Sequence, residues 1–285
     1  MNVCFQFGPL YVTTETPVDF PWTPEAEVFR IDSIPVGCDS VFYQVEFVDT
    51  FEPLPGRILH SDWQMMVMEA EGQENRIFFL PTNGEPFALS QRMDETHVRI
   101  FIDRRAQQAL KWDRTLLGLF SLEHDLVRCG GFLLHASWVI QDGEAMVFTA
   151  PSGTGKSTQA DLWAEHAGAQ IVNGDRTLLY LQDGQWVAGG FPVCGSSEYC
   201  LNRSAPLRAV VSLEQAPENQ AHSMGPGEAL HKVYSQSFVN RWNADDCSRI
   251  CDMVLDLAQR NMVYHYRCTK EPDAVTCLQQ AVYPT

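Results

Sequence analysis

The chain has 285 residues, enough for one large domain or two modest ones, and its 45% hydrophobic and 20% charged content is that of an ordinary globular protein. Its formal net charge of −16 argues against nucleic acid and membranes as partners, because those anionic surfaces bind basic patches. The nine scattered cysteines include no CxxC pair and are typical of reduced thiols. The sequence shows no signal peptide and no run of 18 apolar residues. Together with the cysteine pattern, this predicts a cytoplasmic protein.

Residues 1–110 are predicted to form a β-rich N-terminal domain. Turn signals such as Thr82-Asn83-Gly84-Glu85-Pro86 separate its short β-prone runs. The runs are residues 3–12, 27–34, 40–48, 64–71, 76–80 and 97–102. Many short strands separated by turns predict a small antiparallel sheet or sandwich. No motif in this domain carries chemistry, so we expect a scaffold or an acceptor-recognition module.

Residues 111–285 are predicted to form a second domain that is α+β or α/β, with strands running in both directions. A helix over 116–128 precedes a strand over 132–140, which turns at 141–144 into a strand over 145–149. This pair is a predicted hairpin, whereas ordinary phosphate-loop proteins use helical crossovers. The remaining predicted strands are 169–172, 177–181, 185–189, 207–214 and 262–266, and the remaining helices are 157–166, 228–239, 244–260 and 271–282.

The most informative motif is the run Ala150-Pro151-Ser152-Gly153-Thr154-Gly155-Lys156-Ser157-Thr158, which joins the 145–149 strand to the 157–166 helix. In this context the glycines let successive N–H groups face phosphate oxygens, and the helix N-terminus adds partial positive charge. The run departs from the usual pattern in having Ala150 where a glycine is common. We therefore predict a nucleotide site formed by Ser152, Gly153, Thr154, Gly155, Lys156, Ser157 and Thr158.

Mg²⁺ and the acceptor need further groups beyond this loop. Lys156 is expected to reach the β- and γ-phosphates, and Ser157 to ligate Mg²⁺. Asp175, at the end of the next strand, is the predicted carboxylate partner of Mg²⁺ or of the acceptor. His135 is either a core residue or a contact to phosphate or acceptor. Arg176 and Arg241 are candidate phosphate contacts or surface cations.

A zinc site has only a weak indication in the sequence. Cys247 and Cys251 lie one helical turn apart and precede His265. No second close pair of ligands accompanies them, so this spacing does not predict zinc.

The segments Phe132-Leu133-Leu134-His135, Ser152-Gly153-Thr154-Gly155-Lys156-Ser157 and Asn173-Gly174-Asp175 resemble the catalytic domain of HPr kinase/phosphorylase. They also resemble the nucleotide-binding core of ATP-dependent phosphoenolpyruvate carboxykinase. The resemblance covers roughly residues 116–285, and it implies a P-loop fold built on a mixed sheet. The chain is far too short for a complete carboxykinase, so the shorter kinase-like relatives match better. Some of these accompany peptide-modification systems and phosphorylate serine.

The resemblance also implies roles for individual residues. Lys156 matches the phosphate-binding lysine, Ser157 the magnesium-binding hydroxyl, His135 an active-site histidine and Asp175 one of two adjacent aspartates. Two positions depart from the pattern. Gly174-Asp175-Arg176 supplies only one carboxylate, and Thr158 stands where HPr kinase has an acidic residue. These departures put the phosphorylase reaction and the acceptor in doubt.

The sequence thus predicts an ATP- and Mg²⁺-dependent kinase that transfers the γ-phosphoryl group to a hydroxyl, preferably a serine of a peptide or protein. Lys156, Asp175 and His135 are its predicted catalytic residues. Two alternatives stay open: a nucleotide-binding regulatory or assembly protein without phosphotransfer, and a small-molecule kinase. Because relatives in the HPr kinase family are oligomeric, the resemblance alone predicts a homo-oligomer.

Overall fold

The computed structural model describes residues 1–52 and 55–283. The chain divides into two compact units, residues 1–6 with 10–125, and residues 7–9 with 126–285. The fold is mixed α/β, and its two large sheets each contain parallel and antiparallel strand pairs. No helix in the described ranges is both long and apolar enough to cross a membrane.

Among the described residues, the first sheet has nine strands: β1 (Asn2–Phe7), β2 (Leu10–Glu15), β3 (Arg30–Ile31), β4 (Ser40–Val48), β5 (Arg57–Ser61), β6 (Met65–Ala70), β7 (Gln73–Phe79), β8 (Pro86–Arg92) and β9 (His97–Asp103). Their order across the sheet is β3-β1-β2-β4-β9-β8-β7-β6-β5. The helical elements of this half are α1 (Pro24–Glu27), a 3₁₀ helix (Arg104–Lys111) and α2 (Asp113–Phe120).

The expectation of a purely antiparallel sheet is wrong, because β4 pairs in parallel with both β2 and β9. A parallel pair needs a long connection, and the chain from β2 to β4 supplies one that includes α1. The strand run expected over 3–12 is divided at Gly8, whose φ of 56° ends β1. Only Arg30–Ile31 remains of the strand expected over 27–34. Strands β5 and β8 were not predicted from the sequence.

The second sheet, as far as the structure describes it, has eight strands: β10 (Gly131–Gln141), β11 (Glu144–Thr149), β12 (Gln170–Asn173), β13 (Arg176–Gln182), β14 (Gln185–Gly189), β15 (Ser204–Gln215), β16 (Gln220–Ser223) and β17 (Val263–Cys268). The helices of this part of the chain are α3 (Glu123–Arg128), α4 (Lys156–Ala167), α5 (Pro226–Tyr234), α6 (Ala244–Gln259) and α7 (Asp273–Val282).

Strand β10 is shared by two groups of partners. Its first residues pair with β13, and its later residues pair with β11 and β12. The β10–β11 hairpin predicted from the sequence is confirmed, with positive φ values at Asp142 and Gly143 in its turn. Strand β15 pairs in parallel with both β11 and β17, so the predicted mixed strand directions are also confirmed.

The second sheet buries both faces. Val147 and Val210 belong to a core with helices α5 and α6, whereas Phe148 and Val211 belong to a core with helices α4 and α7. This alternation is the two-residue period of a strand, and it makes three layers of helix, sheet and helix. The single helix expected over 116–128 is instead α2 and α3, because Ser121 has a left-handed φ of 49°. Helix α5 ends at Tyr234 rather than at Val239.

Candidate functional site

The loop between β11 and α4 is exposed and bent by two glycines. Gly153 and Gly155 have φ values of 79° and 113°, which non-glycine residues rarely adopt. A Cβ atom at either position would meet no atom within 4 Å, so the space over the loop is open. Helix α4 begins at Lys156 with no side-chain cap. Its first N–H groups are therefore free of a capping side chain, and they make a site that favours an anion.

Lys156 is buried although the surrounding loop is exposed. The residue is only 7% exposed, and its Nζ donates to the carbonyl oxygens of Ala150 at 3.0 Å and Pro151 at 3.4 Å. Burial lowers the pKa of Lys156, and the negative charge of Asp175 partly opposes that shift. The ammonium thus folds back over its own loop, within electrostatic reach of a carboxylate.

The hydroxyls predicted to bind the nucleotide lie along the same loop and the first turn of α4. Ser152, Ser157 and Thr158 are exposed, and Thr154 is half-buried. All three exposed hydroxyls are accessible to a ligand from solvent. These hydroxyls lie on the same loop and first helical turn as Gly153 and Gly155, over which the space is open.

Two glutamines hydrogen-bond this loop and helix to neighbouring segments. Neither was identified from the sequence. Gln215, at the end of β15, donates through Nε2 to the carbonyl oxygen of Thr154 at 3.2 Å. Buried Gln159, in α4, donates to the carbonyl oxygen of Thr269 at 3.0 Å. No sequence signal marks them, since their partners are backbone atoms 61 and 110 residues away.

Asp175 is positioned by a buried asparagine at the end of β12. The Asn173 Oδ1 accepts from the backbone N–H groups of Asp175 at 2.8 Å and Arg176 at 3.0 Å. Its Nδ2 donates to the carbonyl oxygens of Phe191 at 2.7 Å and Val193 at 3.2 Å. The Asn173 side chain therefore joins the 191–193 segment to the turn in which Asp175 lies.

His135 and Arg176 flank the Asp175 carboxylate. They are opposite each other in the β10–β13 ladder. His135 Nε2 lies 3.8 Å from Asp175 Oδ1, and Arg176 Nε lies 4.0 Å from Asp175 Oδ2. The Arg176 guanidinium also lies 4.2 Å from the centroid of the Phe238 ring. His135 is thus at the site, while Arg176 is held by both a carboxylate and an aromatic ring.

Thr149, the last residue of β11, links this group to the loop. Its hydroxyl donates to the carbonyl oxygen of His135 at 2.9 Å, and the residue is fully buried. The sequence did not identify it. The strand that enters the loop is thereby fixed to the strand that carries the histidine.

Arg241 is exposed in the segment between α5 and α6. Burial raises the pKa of Tyr234 to about 12, and the nearby charge of Arg241 opposes that shift. Among the described residues, the contacts that join Lys156, Asp175, His135 and Arg176 do not include Arg241. Its predicted contact to phosphate stays a prediction.

The second carboxylate of the expected acidic pair has no room at position 174. A Cβ atom on Gly174 would lie 2.3 Å from Ser197 Cβ and 2.5 Å from Ser197 Oγ. Contacts shorter than about 3 Å are essentially never seen for a Cβ atom, so a side chain at position 174 would force Ser197 or the local backbone to shift. Among the described residues, the carboxylate whose charge acts on Lys156 and lies beside His135 is that of Asp175.

Among solved structures, the chain is similar to the Hpr(Ser) kinase/phosphatase from Coxiella burnetii. The sequence identity is 14%, the TM-score is 0.25, and the match covers 32% of this chain and 77% of that chain. No curated protein matches the chain. The family described as SynChlorMet cassette protein ScmC matches residues 101–269. Since this match spans more than half of the 285 residues, the chain belongs to the SynChlorMet cassette protein ScmC family.

Proposed function

We propose that the protein is a Mg-ATP-dependent kinase of the HPr kinase and phosphoenolpyruvate carboxykinase type. The γ-phosphoryl group of ATP is transferred to a hydroxyl acceptor, preferably a serine of a peptide or protein. One observation carries the proposal: the buried Lys156 ammonium lies within a glycine-bent loop at the uncapped N-terminus of α4.

The residues fit a nucleoside triphosphate. The first-turn N–H groups of α4 can donate hydrogen bonds to phosphate oxygens, and the exposed loop has open space above Gly153 and Gly155. The hydrogen bonds from Lys156 to neutral carbonyl oxygens are weaker than those that it would make to a charged phosphate. A triphosphate therefore offers Lys156 a stronger partner than the carbonyls of Ala150 and Pro151.

Ser157 and Asp175 supply the oxygen ligands that Mg²⁺ prefers, a hydroxyl and a carboxylate. When bound, Mg²⁺ would neutralise charge on the phosphates. The chain's own residues then position the reaction. Lys156 holds phosphate oxygens, and Asp175 accepts the hydrogen of the acceptor hydroxyl. His135, 3.8 Å from Asp175, orients that carboxylate or the acceptor.

In the transfer step, the acceptor oxygen forms a bond to the γ-phosphorus while the bond from that phosphorus to the β-γ bridging oxygen breaks. The products are a phosphate monoester and ADP, and the acceptor proton passes to Asp175 or to water. Positioning and charge stabilisation account for most of the catalysis in such transfers. The single carboxylate at the site is enough to orient one hydroxyl.

A second candidate function is nucleotide binding without phosphotransfer, in a regulatory or assembly role. The observation that favours it is Gly174, where contact with Ser197 leaves no space for a second carboxylate. Such a protein would need Lys156 and the loop but would not need Asp175 as an acceptor-orienting group. The third candidate, a small-molecule kinase, uses the same site with a free metabolite as acceptor.

Nucleotide binding is tested by thermal unfolding with and without Mg-ATP. A ligand present at a hundred times its dissociation constant stabilises a protein by about 2.7 kcal/mol. We expect that stabilisation in the native chain and in Lys111→Ala, which removes an exposed lysine of the 3₁₀ helix. We expect none in Lys156→Ala. Equal stabilisation of native and Lys156→Ala proteins would place the nucleotide elsewhere.

Phosphotransfer is tested with γ-labelled ATP and three acceptor sets: serine peptides, proteins and free hydroxyl metabolites. Label on a peptide or protein serine, lost in Asp175→Asn, supports the kinase proposal. Label on a metabolite alone favours the small-molecule kinase. Binding with no label in any set, and equal binding by Asp175→Asn, favours the regulatory function.

A further inference from the structure

Two histidines and a glutamate meet at the edge of the second sheet, on the face covered by α5. His222 of β16 is directly opposite His265 of β17 in their antiparallel ladder, and Glu228 lies in the first turn of α5. Their ligand atoms all lie within 4.8 Å of one another. His222 Nε2 is 3.7 Å from Glu228 Oε2, and His265 Nδ1 is 3.8 Å from Glu228 Oε1.

A second carboxylate holds the other side of the His265 ring. Glu214, in the neighbouring strand β15, has Oε2 3.1 Å from His265 Nε2. A metal-binding histidine almost always donates its remaining N–H to such an acceptor, which fixes the tautomer that leaves the other nitrogen free for the metal. Here both the Glu214 carboxylate and the Lys232 ammonium lie 3.1 Å from Nε2, and the potential ligand Glu228 faces Nδ1, so the proposed site uses the tautomer in which Nε2–H donates to Glu214.

We propose that His222, Glu228 and His265 bind one divalent transition-metal ion, preferably Zn²⁺, with water in the fourth position. Two imidazoles and one carboxylate are a ligand set that Zn²⁺ uses with an open position. Metal–ligand bonds of about 2.0–2.2 Å would bring tetrahedral ligand atoms to roughly 3.4 Å from one another. The distances of 3.7 and 3.8 Å end on different oxygens of Glu228, and the three ligand atoms lie within 4.8 Å of one another, so their separations need to close by at most about 1.4 Å.

The necessary movement falls on side chains that are free to make it. The side chains of His222 and Glu228 are 52% and 37% exposed, whereas that of His265 is 10% exposed. The buried histidine thus acts as the fixed ligand, and the two exposed groups close onto the ion.

Two cations lie close to the ligands and oppose metal binding. Lys232 Nζ is 3.1 Å from His265 Nε2, and Arg267 Nε is 3.6 Å from Glu214 Oε1. With Glu214 and Glu228 they make a formally neutral group, so general negative charge does not attract the ion. Chelation by three placed atoms must supply the affinity, which favours a transition metal over Ca²⁺ or Mg²⁺.

The proposed ion would tie together three elements at this edge of the sheet. Strand β16 has only four residues and is the last strand of its sheet. The ion would link it to β17 and to the start of α5. Its expected role is therefore to stabilise the sheet edge, and it is independent of the site at Lys156 and Asp175.

The test uses the purified full chain stripped of metal and titrated with Zn²⁺, and separately with Co²⁺ as a spectroscopic probe. We expect one ion per chain, a rise in melting temperature, and visible cobalt absorption without the strong thiolate-to-metal band of a cysteine site. His222→Ala and Glu228→Gln change partly exposed residues and should fold, and they should lower Zn²⁺ affinity at least tenfold. His231→Ala, an exposed histidine on the same helix, is the matched control and should bind normally.

Two results would overturn the proposal. One is Zn²⁺ binding of equal affinity and stoichiometry in the native chain and His222→Ala, which would assign the ion to other groups such as the cysteines. The other is no binding of Zn²⁺ or Co²⁺ by a native chain shown to be folded. In that case His265 serves only as a partner of Glu214, with Glu228 3.8 Å from its Nδ1.

Discussion

Gly174 and Ser197 are in such close contact that a Cβ atom on Gly174 would lie 2.3 Å from the Cβ of Ser197. A side chain at position 174 would therefore clash with Ser197 unless one of the two segments shifted. The Cβ and Oγ atoms of Ser197 occupy the space that a side chain at position 174 would need. The two positions are therefore coupled.

We predict that Gly174→Asp destabilises the protein by about 1–3 kcal/mol, the usual cost of forcing extra atoms into a packed site. Ser197→Gly removes the clashing atoms, so the double variant Gly174→Asp/Ser197→Gly should recover most of the loss. Denaturant unfolding of the four proteins forms a double-mutant cycle that measures this coupling. A Gly174→Asp variant as stable as the native chain would show that the backbone moves freely away from Ser197.

A buried network in the first unit provides a second prediction. Tyr43 donates to Asp125 Oδ2 at 2.6 Å, and Arg92 Nη2 donates to the same oxygen at 2.9 Å. Both Tyr43 and Asp125 are fully buried. Tyr43→Phe removes one donor from a buried carboxylate and should cost about 1–3 kcal/mol of unfolding free energy.

The matched control for this change is Tyr11→Phe, on β2 of the same sheet, where the tyrosine is only half-buried. It should change the unfolding free energy by less than about 0.5 kcal/mol. Denaturant unfolding at neutral pH measures both variants. Equal effects of the two variants would show that the Tyr43 hydroxyl contributes no specific stabilisation.

The Tyr43 hydroxyl should also affect how the stability of the protein depends on pH. Burial raises the pKa of Tyr43 well above its ordinary value of 10.0, and the charge of Asp125 adds to this shift while Arg92 opposes it. Above pH 10 the unfolded chain loses the phenol proton and the folded chain keeps it, so the folded state binds more protons. Stability therefore falls as the pH rises above 10.

Tyr43→Phe removes this contribution, so its stability should fall less steeply than that of the native chain between about pH 9 and about pH 11. Burial also raises the pKa values of Tyr266 and Tyr283, which keeps a decline in both proteins. The difference between the two curves isolates Tyr43. Parallel curves would contradict the prediction.

Local patterns predicted much of the second unit correctly. The hairpin turn at Asp142-Gly143 and the strand–loop–helix around Lys156 both follow from short-range chemistry, positive φ at small residues and an apolar strand before glycines. The parallel pairing of β4 with β2 and β9 could not be predicted in this way. It depends on contacts between residues far apart in the sequence, which no local pattern records.

The residues of the candidate site differ in the same way, since some have a local sequence signal and others do not. Lys156, Asp175 and His135 have motif or strand-end signals, and the structure brings them together. Their supports, Asn173 and Gln215, bind backbone atoms of remote segments and have no signal in one sequence. Likewise, His265 was considered with the cysteines of α6, whereas strand pairing places it beside His222.

Asn173 offers the sharpest test of how the Asp175 turn is built. Its buried amide accepts from two N–H groups and donates to two carbonyl oxygens. Asn173→Ala leaves these four backbone groups without their partner. Each such group costs about 1–3 kcal/mol when it stays buried, so we expect a loss of several kcal/mol, reduced where water enters. Gln280→Ala, which removes an exposed side-chain amide in the same unit, should have little effect.

Asn173→Asp separates the accepting half of the side chain from the donating half. An ionised carboxylate still accepts from Asp175 N–H but faces the carbonyl oxygens of Phe191 and Val193 with no hydrogen to donate. The introduced carboxyl should therefore stay protonated in the folded state, with a raised pKa, and the variant should lose stability as the pH rises from about 5 to about 8. Unfolding measured across that range against the native chain tests this. A pH-independent difference between the two proteins would mean that the 191–193 carbonyls turn away, and that Asp175 does not depend on them for its position.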